Sequence, residues 1–454
     1  MKIFLIKLIL LVVLPFFTHY NIFAQNSEWV VCDTSNSELP SNYVTSFAED
    51  LEGNIWVGTY SGLLRISENG WTVLNTSNSN LPSNGIEAIA VDSNNAKWIG
   101  FYNDGIAKYN NDIWEHLTTQ NSILPSNCVE QIVVDNKNRK WIATKNGCGI
   151  GGVLVIDDTL LISYTEENSG LPSGLIPSID VDDSLIAWIC MQPLIPAYLG
   201  GLAKFDGTTW EIYDYNTPGY DLAILVYAEA EKDTIWFGTD WGFSKYDGLN
   251  WKTYLEENSG LPSNYVNAVL ADSDGIKWLG VGRATVDRKG AFVKFFNETF
   301  TVFDTTNSPI LPGYVTSIFK DSHHNKWIAI TPYWDQSTTS SYGGGFAVYN
   351  ENGVVLDVKE INNKIIAKDF NLANNYPNPF NPSTIISYSI PVNGFVKLQV
   401  FDLLGRRITT LVNGYKSFGT YRLEFDGSQL MSGVYIYSLH FQNKIISKKM
   451  LLIK

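Results

Sequence analysis

Short runs of apolar, β-branched and aromatic residues recur along the chain at a fixed period, separated by turn residues. In the clearest unit, Leu39 to Asn80, the runs are Val44–Ala48, Ile55–Gly58, Leu63–Ile66 and Trp71–Leu74. Their alternating pattern is typical of strands in a meander, and no segment keeps a helical period. A tryptophan stands in the second run of every unit, about 40 to 50 residues from the next: Trp56, Trp98, Trp141, Trp188, Trp236, Trp278 and Trp327. Four strands per period of this length predict one blade of a β-propeller.

Seven tryptophans predict seven blades. The segment Glu28 to Pro40 matches the tail of a unit, because Trp29 precedes Leu39 by ten residues as Trp71 precedes Leu81. We expect this N-terminal strand to complete the last blade beside Phe346–Tyr349, which removes an open sheet edge. The run Val354–Val358 is left over, as an outer strand or as part of a linker.

An aspartate lies six residues before the tryptophan in six units: Asp50, Asp92, Asp135, Asp182, Asp272 and Asp321. The fifth unit has Ala230 at this spacing. An aspartate in a tight turn can accept backbone N–H groups, and a buried indole N–H needs a partner. We interpret the aspartates as hairpin braces and the tryptophans as structural.

The two ends differ from the repeats. Residues 1–25 read as a signal peptide, with Lys2 and Lys7 before an apolar run at Leu8–Phe17 that is too short to span a bilayer comfortably. The composition changes near Asn371, after which five runs predict a small β-sandwich: Val396–Asp402, Arg407–Val412, Gly419–Phe425, Gly433–Phe441 and Ile445–Leu452. The predicted domains are a propeller at 26–358, a linker at 359–371 and an immunoglobulin-like sandwich at 372–454.

Separate motifs in this last region closely resemble the type A sorting domain of the type IX secretion system. They are Tyr376–Pro382 (YPNPFNP), Val400–Arg406 (VFDLLGR), Ser432–Tyr435 (SGVY) and Lys448–Lys454 (KKMLLIK). The resemblance implies passage across the outer membrane with this domain as the address, and hence a secreted or cell-surface protein that meets the type IX machinery.

The repeats resemble the two-component regulator propeller, through the LPSN opening and the D-x-x-G-x-x-W-[IV]-G-T pattern seen from Asp50 to Thr59. In that family such propellers often form the sensing half of membrane-spanning regulators that respond to glycans. Here no transmembrane, kinase or DNA-binding segment follows the repeats. The resemblance therefore implies at most that the propeller binds a ligand, and not that the protein is a sensor kinase.

The net charge of the repeats limits the classes of partner that the protein is expected to bind. Of the formal net charge of −14, the leader contributes +2 and residues 371–454 contribute +6, so the repeats carry −22. Nucleic acid and anionic lipid are excluded as partners, because phosphate binding needs clustered cations. A monomer without a transmembrane span is expected.

Four cysteines stand in a chain expected to be exported: Cys32, Cys128, Cys148 and Cys190. Cys128 follows the opening of unit three and Cys148 follows its tryptophan, which places both at the same end of one blade. A Cys128–Cys148 disulfide is the hypothesis, although sequence alone does not fix the connectivity.

Catalytic motifs are scarce. No zinc-protease, paired C-x-x-C or serine-hydrolase motif occurs, so we predict no metal and no cofactor. Glu87 and Glu130 occupy equivalent positions on adjacent inner strands. They could form a glycosidase pair, but solvated channel lining is favoured because no further acid–base partner joins them.

The loops between second and third strands are the predicted recognition surface, because they gather at one face of the ring and vary in length between units. Six aromatic residues and one arginine lie in or near these loops. They are the predicted ligand-binding residues: Tyr60, Tyr102, Tyr198, Trp241, Arg283, Tyr333 and Trp334. Aromatic rings beside polar groups suit sugar faces or a protein partner. The alternative is that these rings only plug the loops over the channel.

The sequence therefore favours an exported, non-catalytic binding protein that recognises a glycan or a protein. A polysaccharide lyase or glycosidase on a propeller scaffold is one alternative, supported by fold analogy alone. A structural surface or adhesion protein is the other.

Overall fold

The structure is a computed structural model that describes residues 28–192, 201–214, 217, 225–231, 234–272, 275–283, 290–335, 340–356, 370–390, 394–416, 419–442 and 444–454. The predicted leader, Tyr198 and most of the predicted linker lie outside the described residues. Strands are the regular elements throughout the described part, in which no helix occurs.

The repeat region contains thirty strands. Their bounds are β1 (Trp29–Cys32), β2 (Val44–Glu49), β3 (Ile55–Thr59), β4 (Gly62–Ser67), β5 (Gly70–Leu74), β6 (Ile86–Val91), β7 (Lys97–Phe101), β8 (Ile106–Asn110), β9 (Ile113–Leu117), β10 (Val129–Val134), β11 (Lys140–Thr144), β12 (Gly152–Asp157), β13 (Leu160–Tyr164), β14 (Ser178–Val181), β15 (Ala187–Met191), β16 (Gly201–Phe205), β17 (Trp210–Tyr213), β18 (Leu225–Glu231), β19 (Thr234–Thr239), β20 (Gly242–Tyr246), β21 (Trp251–Tyr254), β22 (Val266–Ala271), β23 (Lys277–Val281), β24 (Ala291–Phe296), β25 (Thr299–Phe303), β26 (Tyr314–Lys320), β27 (Lys326–Thr331), β28 (Tyr333–Asp335), β29 (Ser340–Tyr342) and β30 (Gly345–Tyr349).

Twenty-eight of these strands form seven antiparallel four-stranded sheets within the described residues, and β28 and β29 form a separate two-stranded sheet. Six take their strands in chain order, from β2–β5 through β22–β25. The seventh has the order β1-β30-β27-β26, so the N-terminal strand supplies its last position, with Trp29 opposite Tyr349 and Cys32 opposite Phe346. This confirms the pairing expected from the sequence.

The first strand of each sheet packs against the first strand of the next. The series runs β2, β6, β10, β14, β18, β22 and β26, and β26 packs against β2 again. The arrangement is propeller-like, with apolar cores between neighbouring sheets. At the junction of the last sheet with the first, Phe47 and Leu64 share one buried cluster with Trp327 and Phe346.

The predicted aspartate braces are present. One carboxylate oxygen accepts the backbone N–H groups of the turn, as Asp50 Oδ1 does from Glu52 and Asn54, both at 3.0 Å. The other accepts the indole N–H of the same sheet: Trp56 to Asp50 2.8 Å, Trp98 to Asp92 2.9 Å, Trp141 to Asp135 3.0 Å, Trp188 to Asp182 3.3 Å, Trp278 to Asp272 3.4 Å and Trp327 to Asp321 2.8 Å.

A lysine from the following sheet joins several of these braces. Lys97 Nζ lies 3.2 Å from Asp50 Oδ2 and 5.3 Å from the centroid of the Trp56 ring. Lys140 repeats the arrangement with Asp92 and Trp98. The braces therefore link neighbouring sheets as well as closing hairpins, which the sequence did not indicate.

The fifth unit has a different hairpin. Ala230 pairs with Ile235 and Glu231 with Thr234, so only two residues separate the strands, whereas three separate Asp50 from Asn54. By register Glu231, not Ala230, stands where the other units have aspartate. Trp236 Nε1 is buried without a hydrogen-bond partner among the described residues.

Two segments of the last unit refine the predictions. The long loop after Trp327 contains the hairpin β28–β29, in which Tyr333 pairs with Tyr342. The described part of the left-over run, residues 354–356, forms no strand. Val354 is buried at the junction of the last and first sheets, and the Val355 carbonyl accepts a 2.6 Å hydrogen bond from Asn325 Nδ2.

The C-terminal region holds seven more strands in two sheets. Their bounds are β31 (Asn371–Leu372), β32 (Ser383–Ile390), β33 (Gly394–Phe401), β34 (Arg407–Lys416), β35 (Gly419–Asp426), β36 (Gly433–Phe441) and β37 (Lys444–Leu452). The orders are β31-β32-β35 and β34-β33-β36-β37. Side chains of both sheets share one core, with Ile386 and Tyr388 from the first sheet and Leu398 and Tyr437 from the second.

The Tyr376–Pro382 motif is tied to strand β37. The Phe380 N–H donates to the Leu451 carbonyl at 2.9 Å, and the Ile453 N–H donates to the Phe380 carbonyl at 3.0 Å. The Phe380 ring is buried in the shared core. Two motifs that lie 70 residues apart in the sequence thus form one structural unit.

Candidate functional site

One backbone contact recurs where the second strands end and builds a rim around the axis. The residue four positions after the tryptophan donates its N–H to the carbonyl of a residue that lies one to three positions before the inner strand. The pairs are Tyr60 to Tyr43 at 3.2 Å, Tyr102 to Gly85 at 3.0 Å, Lys145 to Cys128 at 3.0 Å, Gln192 to Leu175 at 2.9 Å and Gly282 to Tyr265 at 2.9 Å. We call these paired residues the loop rim.

Tyrosines crowd one arc of the loop rim. The rings of Tyr43 and Tyr60 stack with centroids 5.7 Å apart and planes 5° from parallel. Tyr102, from the next sheet, lies 6.3 Å from Tyr60, and both are close to half exposed. Lys145, one sheet further on, places Nζ 5.0 Å from the centroid of the Tyr102 ring. The arc therefore presents adjacent aromatic faces to solvent.

A repeated β-bulge places a polar residue below this arc. The register shifts at the second residue of the inner strands, at Thr45, Glu87, Glu130 and Asn267. Bulges of this kind re-aim a side chain. Thr45 Oγ1 donates to the Ile86 carbonyl of the next sheet at 2.9 Å, and Asn267 Nδ2 donates to the Val315 carbonyl at 3.2 Å. Glu87 and Glu130 have no such donor when ionised, so they need other partners.

The two carboxylates differ in their partners. Glu130 forms an ion pair with Lys145 of its own sheet, whereas Glu87 Oε2 is buried without a hydrogen-bond partner in the described part of the chain. Burial and the charge of Glu130 raise the pKa of Glu87 to about 7, against the opposing effects of Lys145 and of a hydrogen bond from Tyr60. Burial likewise raises the pKa of Glu130, which Lys145 opposes. The same burial, with Glu87 close by, raises the pKa of the Tyr60 hydroxyl.

The predicted ligand-binding residues do not all meet. Tyr60 and Tyr102 are in contact. Trp241 and Trp334 are exposed, and no ring contact joins them to that pair within the described residues. Arg283 lies over the Tyr265 ring, 4.6 Å from its centroid.

Tyr333 is buried, and its hydroxyl accepts the Gly290 N–H at 2.9 Å, so it supports the loop from within. Its ring lies 6.3 Å from that of Tyr314, at the start of β26. Tyr198 is among the residues that the structure does not describe.

The predicted disulfide is present. Cys128 and Cys148 are bonded, with Cα atoms 5.4 Å apart, and Cys32 and Cys190 are buried free thiols. The bond ties the loop after Lys145 to the start of β10, and the Ile150 N–H donates to the Pro125 carbonyl at 3.1 Å. It therefore stabilises the part of the loop rim that carries Lys145.

Three residues of the arc were missed in the sequence: Tyr43, Tyr314 and Lys145. Their signal is positional. Tyr43 and Tyr314 stand thirteen residues before Trp56 and Trp327, and Lys145 stands four residues after Trp141, as Tyr60 and Tyr102 do after theirs. Aligning the repeats on the tryptophan would have placed them together.

Family models match two parts of the chain. Residues 374–454 match the secretion system C-terminal sorting domain. Residues 38–61, which span the opening of the first repeat, match the two component regulator propeller. Both resemblances seen in the sequence are thereby confirmed. The sorting domain indicates export, so the protein is secreted or lies at the cell surface. No curated protein sequence matches the chain.

Solved structures share the fold at low identity. The extracellular domain of a hybrid two-component system from B. thetaiotaomicron has a TM-score of 0.57 and 15% identity over 94% of this chain and 57% of its own. PorZ, a surface component of the type-IX secretion system of Porphyromonas gingivalis, has a TM-score of 0.50 and 13% identity over 91% and 60%. Virginiamycin B lyase from Staphylococcus aureus has a TM-score of 0.50 and 12% identity over 71% and 97%.

These identities show the fold alone. The chain spans about three fifths of the length of the first two structures. Within the residues that could be searched, no helix is long and apolar enough to cross a membrane.

Proposed function

We propose that the protein is an exported, non-catalytic binding protein that recognises a glycan or a protein through the loop rim of a seven-bladed propeller. The propeller occupies 26–358, after a signal peptide at 1–25. A linker at 359–371 leads to an immunoglobulin-like sandwich at 372–454, which meets the type IX machinery, and the protein acts as a monomer.

The observation that carries the proposal is the tyrosine arc. Tyr60 and Tyr102 are large aromatic side chains that stay close to half exposed, although both are packed against other rings. Such rings supply rigid apolar faces with a polar tip, which suits sugar rings and protein anchors alike. Hydrogen bonds from their N–H groups to the Tyr43 and Gly85 carbonyls hold their backbone in place, so little order has to be created on binding.

A glycan array and a panel of surface proteins, probed with the full-length chain, test the proposal. Tyr60→Ala and Tyr102→Ala should each weaken a detected interaction at least tenfold, while Trp241→Ala and Trp334→Ala measure what the outer loops add. A ligand whose affinity is unchanged by all four substitutions would place the binding surface elsewhere.

Catalysis by a glycosidase or lyase is the second candidate, because one observation favours it. Burial and the charge of Glu130 raise the pKa of Glu87 to about 7, and a carboxylic acid beside a second carboxyl group can serve in glycoside hydrolysis. Incubation with candidate polysaccharides tests this reading. Turnover that disappears in Glu87→Gln and Glu130→Gln would replace the binding proposal. The third alternative is a structural adhesion protein, in which case no soluble ligand would bind.

A further inference from the structure

The Glu130 corner of the loop rim shows how this fold holds an ammonium group. Lys145 pairs with the Glu130 carboxylate, and its Nζ lies 5.0 Å from the centroid of the Tyr102 ring of the preceding sheet. A carboxylate combined with an aromatic face is the environment in which ammonium groups are recognised. About a quarter of the Lys145 side chain stays exposed, at 27%, so the position is reached from the solvent.

One sheet earlier the same corner lacks a lysine of its own sheet, and Glu87 is close only to Lys145 of the next sheet. Glu87 lies at the β-bulge of its inner strand, the position that Glu130 has in the next sheet. Tyr60 is then the aromatic residue of the preceding sheet, as Tyr102 is for Glu130. Tyr102 stands four residues after its tryptophan, as Lys145 does after Trp141. The Tyr102 ring contacts Lys145 of the next sheet. Glu87 accepts a hydrogen bond from Tyr60, but its Oε2 is buried with no hydrogen-bond partner among the described side chains. A buried acceptor of this kind is costly unless something pairs with it.

The shape of the corner selects the kind of cation. Glu87 Oε2 is buried, whereas the neighbouring Tyr60 and Tyr102 are close to half exposed. An amine attached directly to a sugar ring carries the bulk of the ring next to its nitrogen, which does not suit a buried acceptor. A lysine side chain carries its ammonium on a slender four-carbon stem that can pack along aromatic faces. Lys145 reaches Glu130 in this way. The strongly acidic repeats also favour the approach of a basic partner.

We propose that the Glu87 corner binds a lysine side chain of a protein partner, with the ammonium between the Glu87 carboxylate and the Tyr60 ring. The proposal rests on the binding function assigned to the loop rim and deepens it. It names the partner as a protein, and it names the group on that partner that is recognised.

Saturation-transfer NMR on the full-length chain tests the proposal, because it detects millimolar binding. The probe is the capped tripeptide acetyl-Gly-Lys-Gly-amide. The controls are the same peptide with Nε-acetyllysine and a glucosamine oligosaccharide. We expect the lysine peptide to bind at least tenfold more tightly than either control at pH 8. Glu87→Gln should remove this preference, and Glu115→Gln, an exposed carboxylate paired with Lys108 on the outer strands, should retain it.

The pH response separates a direct role of Glu87 from a structural one. The peptide lysine stays charged between pH 6 and pH 8, whereas Glu87 ionises across this range, so affinity should rise about tenfold in the native chain. The titratable groups facing Glu87 are the charged Glu130 and Lys145 and the neutral hydroxyl of Tyr60, and Glu87→Gln retains all three. The variant should therefore show a flat profile.

Three results would overturn the proposal: equal binding of the charged and acetylated peptides, a pH response that persists in Glu87→Gln, or Glu87-dependent binding of the glucosamine oligosaccharide alone. A neutral glycan that binds through Tyr60 and Tyr102 but not Glu87 would also overturn it. In that last case the binding function of the loop rim would stand.

Discussion

Replacing Asp50 with alanine should destabilise the repeat region strongly. The carboxylate is buried and accepts hydrogen bonds from two backbone N–H groups of its turn and from Trp56 Nε1. It also pairs with Lys97, whose side chain is only 9% exposed. Alanine leaves the indole N–H and the ammonium buried without this acceptor.

The expected loss of unfolding free energy follows from the groups that lose their partner, the Lys97 ammonium and the Trp56 indole N–H. Breaking a buried ion pair by removing one partner costs about 3–5 kcal/mol, and a lost buried hydrogen bond adds about 1–3 kcal/mol. Lys97 keeps a 3.0 Å hydrogen bond to the Asn95 carbonyl, and the turn can admit water, so a total of about 3–5 kcal/mol is expected. Asp50→Asn retains one acceptor oxygen and should cost less.

The loss should also depend on pH. Burial opposes ionisation of Asp50, but hydrogen bonds from Asn54 and Trp56 and the charge of Lys97 together hold its pKa below the usual range. The folded state therefore gains stability from Asp50 above the pKa of the unfolded chain, about 4, and loses it as the pH falls toward the lower folded pKa. The gap between the native chain and Asp50→Ala should narrow under acid.

Urea unfolding at pH 7, followed by tryptophan fluorescence, measures the effect, and repetition at pH 3, below the unfolded pKa of about 4, tests the pH dependence. Glu68→Ala is the control, because Glu68 is an exposed acid in the next turn of the same sheet. A loss below about 1 kcal/mol at pH 7, within the range of exposed substitutions, would refute the reasoning that the brace is a buried ionic link.

Three further predictions concern other sites. Trp236→Phe should cost at least 1 kcal/mol less than Trp56→Phe in the same urea assay, because Trp56 loses a hydrogen bond to Asp50 and Trp236 has none to lose among the described residues. Glu87→Gln should raise the melting temperature at pH 8 but not at pH 4. The pKa of Glu87 is raised in the folded state, so Glu87 stabilises the fold fully only below the pKa that it has in the unfolded chain, and this stabilisation is lost as the pH rises through about 7. Cys128→Ser should lower stability by about 2–4 kcal/mol under oxidising conditions and by much less in reductant, as calorimetry would show.

The sequence was a good guide to the repeats because their period is carried by large buried side chains. The run Val44–Ala48 became β2, and the N-terminal strand paired where ring closure required it. The fifth hairpin was misjudged because spacing to a tryptophan does not reveal that the turn is one residue shorter. Strand β32 was overlooked, since its alternating STIISYSI run directly follows the proline-rich motif.

The site was harder to predict than the fold. Tyr60 and Tyr102 were recognisable as loop aromatics, yet Tyr43 and Lys145 belong to the same arc and carry no distinguishing motif. Tyr43 contacts Tyr60 across one hairpin, and Lys145 contacts Tyr102 of the preceding sheet, and neither contact is marked in the sequence. Glu87 and Glu130 were interpreted as solvated lining, because the sequence cannot show how the two carboxylates share one lysine. Glu130 forms an ion pair with Lys145, whereas Glu87 only feels the charge of that lysine and keeps Oε2 without a hydrogen-bond partner among the described residues.

The pairing of β1 with β30 has a consequence for biogenesis. The opening strand of the ring emerges first but finds its neighbour only after more than 300 further residues, where the Asn350 N–H donates to the Glu28 carbonyl. The last sheet is therefore complete only when both ends of the repeat region are present. A chain clipped at either extremity during export would expose a bare strand edge, a mark by which proteases could discard it.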